Sequence, residues 1–398
     1  MHRASAVEAH DPGASSRLQH INRRTSRGGC SANHHLDMPG LFDPIQIGSI
    51  KCDNRVVMAP LTRARATREG VPTDIMVTYY KQRATAGLII SEATGISKVG
   101  LGWAYAPGIW NDEQVSKWKE IVKAVHDEGG KIICQLWHMG RATHSNVIGS
   151  TPVSASATKY PTQVHTYDGK KDPETAHALT VDEIKATVED YRKAARNAIE
   201  AGFDGVQVHS ANGYLIDQFL RDSSNFRTDE YGGSIENRTR LLREVVETVV
   251  QEVGAERTSV RLSPNGDSQG VIDSDPEPLF VAATEILSKL DVSMLELRES
   301  FPESTFFGQT TQQKLHGPIR KAFKNVLILN QQYDRDSAEK AIQDGTADAI
   351  SFGRAFIPNP DLVDKLKHNK KLRVFNDMVK WWYSQGPEGY IDFPPGSD

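Results

Sequence analysis

Phe203-Asp204-Gly205-Val206-Gln207-Val208-His209-Ser210-Ala211-Asn212-Gly213-Tyr214-Leu215-Ile216 reads as a turn, a short buried strand and a loop rich in polar chemistry. The strand is brief, apolar and valine-rich, and it follows a helical pattern, as in a β–α–β unit. Just past its end stand two neutral hydrogen-bond donors, His209 and Asn212, three residues apart. A phenol, Tyr214, lies two further on. Donors that can hold a carbonyl oxygen, beside a weak acid that can supply a proton, suit the reduction of an activated C=C bond. A lone histidine after a strand is more often a satisfied core residue. Three such groups within six residues point to a site.

Working outward, residues 180–201 form the clearest helical pattern. Thr180 and Glu183 fit a capping box, and Ile184, Val188, Tyr191, Ala195 and Ile199 recur at helical spacing before Gly202 closes the run. A second helix is expected over 238–253, and a third opening at Asp336-Ser337. Short apolar runs occur at 55–59, 88–91, 131–136, 205–208, 259–262, 294–297, 326–329 and 349–352. Eight strands alternating with helices predict an α/β fold, the (β/α)8 or TIM barrel. A doubly wound sheet is the alternative, but neither a GxGxxG turn nor a P-loop is present. Residues 143–178 follow the third strand and predict an inserted loop, either a lid over the barrel mouth or a solvated excursion.

The bulk numbers bound the function. A chain of 398 residues suits one large barrel, and 38% hydrophobic with 25% charged residues is ordinary for a soluble enzyme. A net charge of −4 argues against a general nucleic-acid binder. Cys30, Cys52 and Cys134 form no CxxC pair, so a reducing, cytoplasmic setting is expected and no metal site. No apolar run approaches the ~18 residues that span a bilayer. Residues 1–38 are rich in Arg, His, Ser and Gly without apolar periodicity. They are expected to form a disordered extension, with a mitochondrial presequence as the alternative, and residues 39–398 to form the barrel.

Reactive groups in such barrels gather at the C-terminal ends of the strands. Those ends carry Pro60, Leu61 and Thr62, then Ala93, then Gln135 and Trp137, then the His209 loop, then Arg261, and last Gly353-Arg354. Arg261 sits inside an apolar strand, where a guanidinium is costly unless something anionic meets it. A reduced flavin is one such partner, and a carboxylate such as Glu296 is another. Gly353-Arg354 before a helix can grip a phosphate with backbone N–H groups, a helix dipole and a fork of donors.

Together these stretches resemble the old yellow enzyme family of FMN-dependent ene-reductases. The resemblance runs from about residue 41 to 394 and rests on 58–63 (MAPLTR), 135–140 (QLWHMG), 209–219 (HSANGYLIDQF), 227–238 (RTDEYGGSIENR), 352–362 (FGRAFIPNPDL) and 389–394 (GYIDFP). It implies an FMN-binding barrel in which NADPH or NADH reduces the flavin and an α,β-unsaturated aldehyde or ketone then enters the same site. Carried over by position, Pro60, Leu61, Thr62, Ala93 and Gln135 would line the flavin, Thr62 at its C4 carbonyl. Arg261 would meet the reduced ring, and Gly353 and Arg354 the phosphate. His209 and Asn212 would hold the substrate carbonyl, Tyr214 would supply a proton, and Trp137 and Tyr390 would shape the substrate side. Threonine at position 62, where one branch has cysteine, is similar to the yeast and plant type. Gln331 and Gln332 depart from the family, whose members usually place small residues, often glycine, where backbone amides approach the phosphate. A glutamine there has a Cβ that disfavours positive φ, which puts the tightness of FMN binding in question. The partners implied are small molecules, the assembly a monomer or homodimer. A flavin-dependent isomerase of unsaturated aldehydes and a non-catalytic flavin-binding redox protein are the rival readings.

Overall fold

Eight short parallel strands close on themselves in the computed structural model, which describes residues 38–305, 308–375, 381–393 and 396. In chain order they are Val56–Met58, Leu88–Ile90, Ile132–Trp137, Gly205–His209, Thr258–Leu262, Met294–Arg298, Val326–Asn330 and Ala349–Phe352. Each pairs with its neighbour in sequence, and the eighth returns to the first through Ile350 opposite Val56. The fold is the (β/α)8 barrel, and every strand expected from the apolar runs is present within about two residues. The expectation for residues 1–38 lies outside the described residues except for Met38, which is exposed.

The helices form for the reasons their sequences suggest. Val181–Glu200 starts at a reciprocal capping box: the Glu183 amide donates to Thr180 Oγ1, and the Thr180 amide donates to Glu183 Oε2 at 2.7 Å. Its buried stripe of Ile184, Tyr191, Ala195 and Ala198 faces the barrel, and Gly202, at φ +95°, ends it. The expected second helix is broken at Thr239 into Ile235–Arg238 and Arg240–Val253. The third spans Arg335–Gln343; its cap is Asp334, whose carboxylate accepts from the Ser337 amide, so it begins before Asp336.

The two ends of the barrel differ in chemistry. A hairpin of Ile45–Ile47 with Ile50–Cys52 packs on Val57, Leu88, Ile133, Met294 and Ile328 and closes the N-terminal end with apolar side chains. The C-terminal end is polar inside. Residues 143–178 hold a short helix, Ser145–Ile148, and a second hairpin, Val164–Thr166 with Gly169–Lys171. Tyr160, Gln163, His165 and Lys170 of this insertion line the cavity at the mouth, so it covers the mouth and is not a detached excursion.

Candidate active site

The strand ends enclose a cavity of about 670 Å³, within the range of small-molecule and cofactor sites. Pro60, Leu61, Thr62, Ala93, Gln135, Trp137, His209, Asn212, Tyr214, Arg261, Gln331, Gly353 and Arg354 all line it. These are all but one of the residues singled out from the sequence. Lys170, Arg261, Arg298 and Arg354 contribute positive charge to the lining, and among the described residues no Asp or Glu contributes to it.

The floor is a buried polar network set by strand register. Gln207 lies opposite Gln135, and Arg261 opposite Glu296, so their side chains point into the barrel side by side. Gln135 Nε2 donates to Gln207 Oε1 at 2.8 Å, and Gln207 Nε2 donates to Glu296 Oε2 at 3.0 Å. Ser351 Oγ donates to Glu296 Oε1 at 2.6 Å. Arg261 Nε stands 3.1 Å from Glu296 Oε2 but is not aligned for a hydrogen bond, while Nη2 donates to Asn330 Oδ1 at 3.0 Å. Glu296 is thus the carboxylate beside Arg261, and the guanidinium also borders the open cavity. Trp137 Nε1 is a second buried donor on the cavity wall without a hydrogen-bond partner among the described residues. Leaving such groups unpaired costs about 1–3 kcal/mol each, so the donor set suits an electron-rich ligand.

On one wall, two donors are fixed in orientation by groups that can only donate to them. The Ala211 amide donates to His209 Nδ1, which leaves the proton on Nε2. Burial, reinforced by Arg261, pushes the His209 imidazole well below its ordinary value, so the ring is neutral. Asn212 adopts φ +60°, a left-handed conformation that asparagine tolerates better than most residues. Its amide donates to Ser263 Oγ at 2.8 Å, and its Oδ1 accepts from Arg298 Nη1 at 3.2 Å. Nδ2 is then the end of the side chain left to donate into the cavity. Tyr214 meets both Trp137 and His209 edge-on, at ring separations of 5.0 Å each. Burial pushes its hydroxyl up to about 12 against a smaller opposing pull from a hydrogen bond with Gln269. The phenol therefore holds its proton throughout the neutral range.

The opposite end is shaped by backbone conformation. Gln331 lies at φ +109° and Gln332 at φ +56°, the left-handed region that the glutamines were expected to resist. The Gln332 side chain is tied down: its Oε1 accepts from the Thr305 amide at 2.8 Å and from Thr305 Oγ1 at 3.1 Å. That hydroxyl accepts in turn from Arg354 Nη2 at 2.8 Å.

Tyr390 is the exception and corrects the sequence reading. It does not line the cavity. Its ring is fully buried and stacks on Tyr79 at 4.2 Å and 8°, with the Arg65 guanidinium 4.5 Å from its centre. Arg63, which also faces this ring, is held by the carbonyls of Trp381 and Gly389. The tyrosine belongs to a cluster that fastens the C-terminal segment to the barrel. Trp103, Phe375, Trp382 and Tyr383 provide aromatic lining instead. Arg298 was missed as well. Its signal was available: in Met294–Arg298 alternation puts Glu296 and Arg298 on one inward face, the same oddity that singled out Arg261. Among the described residues no group of acids, histidines and cysteines could hold a metal ion, and no helix is long and apolar enough to cross a membrane.

The chain is similar to known proteins in sequence and in fold. Residues 40–373 match the sequence pattern of the NADH:flavin oxidoreductase / NADH oxidase family. A putative 12-oxophytodienoate reductase 5 of Oryza sativa subsp. japonica is 44% identical over 87% of this chain and 92% of its own length. The flavin oxidoreductase hxnT of Emericella nidulans is 40% identical over 89% and 97%. Among solved structures, the old yellow enzyme homologue from Zymomonas mobilis superposes with a TM-score of 0.88 at 57% identity, covering 89% of this chain and 99% of that one. Morphinone reductase in complex with tetrahydroNAD gives 0.84 at 42%, covering 90% and 98%.

Proposed function

Because the chain belongs to the NADH:flavin oxidoreductase / NADH oxidase family, that of the old yellow enzymes, we propose that it is an FMN-dependent ene-reductase using NAD(P)H to reduce the C=C bond of α,β-unsaturated carbonyl compounds. The observation that carries this reading is the pair of orientation-locked donors, His209 Nε2–H and Asn212 Nδ2–H, facing one cavity beside a protonated Tyr214.

The residues fit the cofactor. Gln135 and Thr62 suit the polar edge of a flavin, Arg261 suits its anionic reduced form, and Gly353 with Arg354 suits a phosphate. Bound FMN would supply hydride taken from a nicotinamide that occupies the same pocket, and a 42% identical relative solved with tetrahydroNAD supports a nicotinamide as reductant.

The chain's own part is orientation and charge. His209 and Asn212 hold the substrate carbonyl oxygen, where negative charge develops as Cβ accepts hydride. Neutral donors keep that pocket open to a neutral enone and strengthen as the oxygen becomes an enolate. Tyr214 then donates its phenolic proton to Cα, completing net addition of H₂ across the bond, and recovers a proton from solvent at the open cavity. Trp103, Tyr160 and Trp382 present flat apolar surfaces that suit unsaturated rings and chains.

The test is anaerobic stopped-flow on the yellow, FMN-loaded protein. NADPH or NADH should bleach the flavin absorbance, and an added cyclic enone should restore it with formation of the saturated ketone. Restoration that needs oxygen and yields no saturated product would refute ene-reduction.

A further inference from the structure

Arg298 lies in the same wall as the carbonyl-binding pair and enters the scheme above only through its hydrogen bond to Asn212 Oδ1. It ends the sixth barrel strand, is 3% exposed and lines the cavity. Its Nη1 donates to Asn212 Oδ1 at 3.2 Å, and Nη2 lies 3.4 Å from Ser300 Oγ. Resting on the proposed carbonyl pocket, we propose that Arg298 is a positioning residue that sets the orientation of the Asn212 amide and charges its N–H bond.

The argument follows from what each group can do. A guanidinium has donors and no acceptor. An asparagine amide has one end of each kind, so beside Arg298 only one orientation is favourable: oxygen to the guanidinium, nitrogen to the cavity. The reverse would set two donors against each other between side chains only 6% and 3% exposed. The backbone gives the amide no second choice, because Asn212 is held in its left-handed turn by Ser263 and by the Gln269 side chain, whose Nε2 donates to the Asn212 carbonyl at 2.7 Å.

The contact also polarises the amide. A positive charge at Oδ1 draws the nitrogen lone pair into the C–N bond and makes Nδ2–H a stronger donor, as in other charge-assisted chains. The effect grows as the substrate oxygen gains charge, which is when stabilisation accelerates reaction. Arg298 thus acts on the substrate through Asn212 and need not touch it.

A mutant cycle with p-chlorophenol, whose phenolate oxygen can occupy the donor pair against oxidised flavin, tests this. Its dissociation constant is read from the long-wavelength charge-transfer band, with no turnover involved. Arg298→Met should weaken binding about 10- to 100-fold, the usual cost of losing a hydrogen bond to a charged group. In an Asn212→Ala background the same change should cost less than about twofold, since the residue it acts through is gone. Equal weakening in both backgrounds, or none in either, overturns the proposal. If Arg298→Met loses flavin, Arg298→Lys takes its place: it keeps the charge but replaces the planar fork with an ammonium on a shorter reach, and its smaller loss must likewise vanish in Asn212→Ala. A wild-type protein that gives no band with phenol would count against the carbonyl pocket itself, a result distinct from an uncoupled cycle.

Discussion

Replacing Gln332 separates what its side chain does from what its backbone costs. The side chain accepts two hydrogen bonds from Thr305, and Thr305 Oγ1 accepts one from Arg354, the guanidinium assigned to the cofactor phosphate. The backbone sits at φ +56°, which costs a residue with a Cβ about 1 kcal/mol or more. Gln332→Ala keeps that cost and removes the tether. Two neutral hydrogen bonds of ~1 kcal/mol each are lost, and Arg354 is freed to wander, so FMN should bind roughly ten- to thirtyfold more weakly. Gln332→Gly loses the same tether but relaxes the backbone. It should show a similar loss of affinity, yet melt about 1–2 °C above the Ala variant. The assay is titration of apoprotein by quenching of flavin fluorescence, with riboflavin in parallel. Riboflavin has no phosphate, so its affinity should change less than about threefold. Unchanged FMN affinity in Gln332→Ala, or equal losses for FMN and riboflavin, would refute the tether. Tighter FMN in Gln332→Gly would show instead that the glutamine is a strained stand-in for glycine.

Other changes report on the rest of the site. Tyr214→Phe should slow reoxidation by enones about 10²- to 10⁴-fold while leaving reduction by NADPH nearly unchanged, because its proton is used only after the nicotinamide has left; rapid-mixing of each half-reaction checks this. His209→Ala combined with Asn212→Ala should abolish the phenol charge-transfer band with FMN still bound, as seen in visible spectra. Burial holds His138 down at about 4 from 6.5. The folded state therefore disfavours its protonation, and its contribution is complete above pH ~6.5 and lost as pH falls toward 4, by roughly 3 kcal/mol. In urea melts, the stability of His138→Gln relative to wild type should rise by that order between those pH values; a constant difference would contradict the assignment.

Much of this molecule is legible before folding, because the relevant signals are local. Strand positions follow from short apolar runs between turns, and the helix of Val181–Glu200 from its capping box, stripe and terminal glycine. The placement of His209, Asn212 and Tyr214 at a mouth follows from their standing just past a strand in a barrel. The positive φ at Gln331 and Gln332 is different: only the resemblance to relatives with small residues there pointed to it, because nothing in a Gln-Gln pair itself signals a left-handed backbone.

What the tertiary structure alone decided depends on which distant side chains barrel closure sets face to face. Asn212 and Arg298 are 86 residues apart, so the orientation of the amide, and with it the sign of what it offers a ligand, is invisible to any local pattern. Glu296 reaches Arg261 only because the fifth and sixth strands pair in that register. The covering of the mouth by residues 143–178 is a matter of docking, since polar composition alone fits a lid and a free loop equally. Tyr390 shows the same limit. Motif position put it at the substrate, whereas burial of its ring against Tyr79 and the cations of Arg63 and Arg65 puts it in a clamp behind the site. Periodicity says which face of an element is buried, and only the closed barrel says against what.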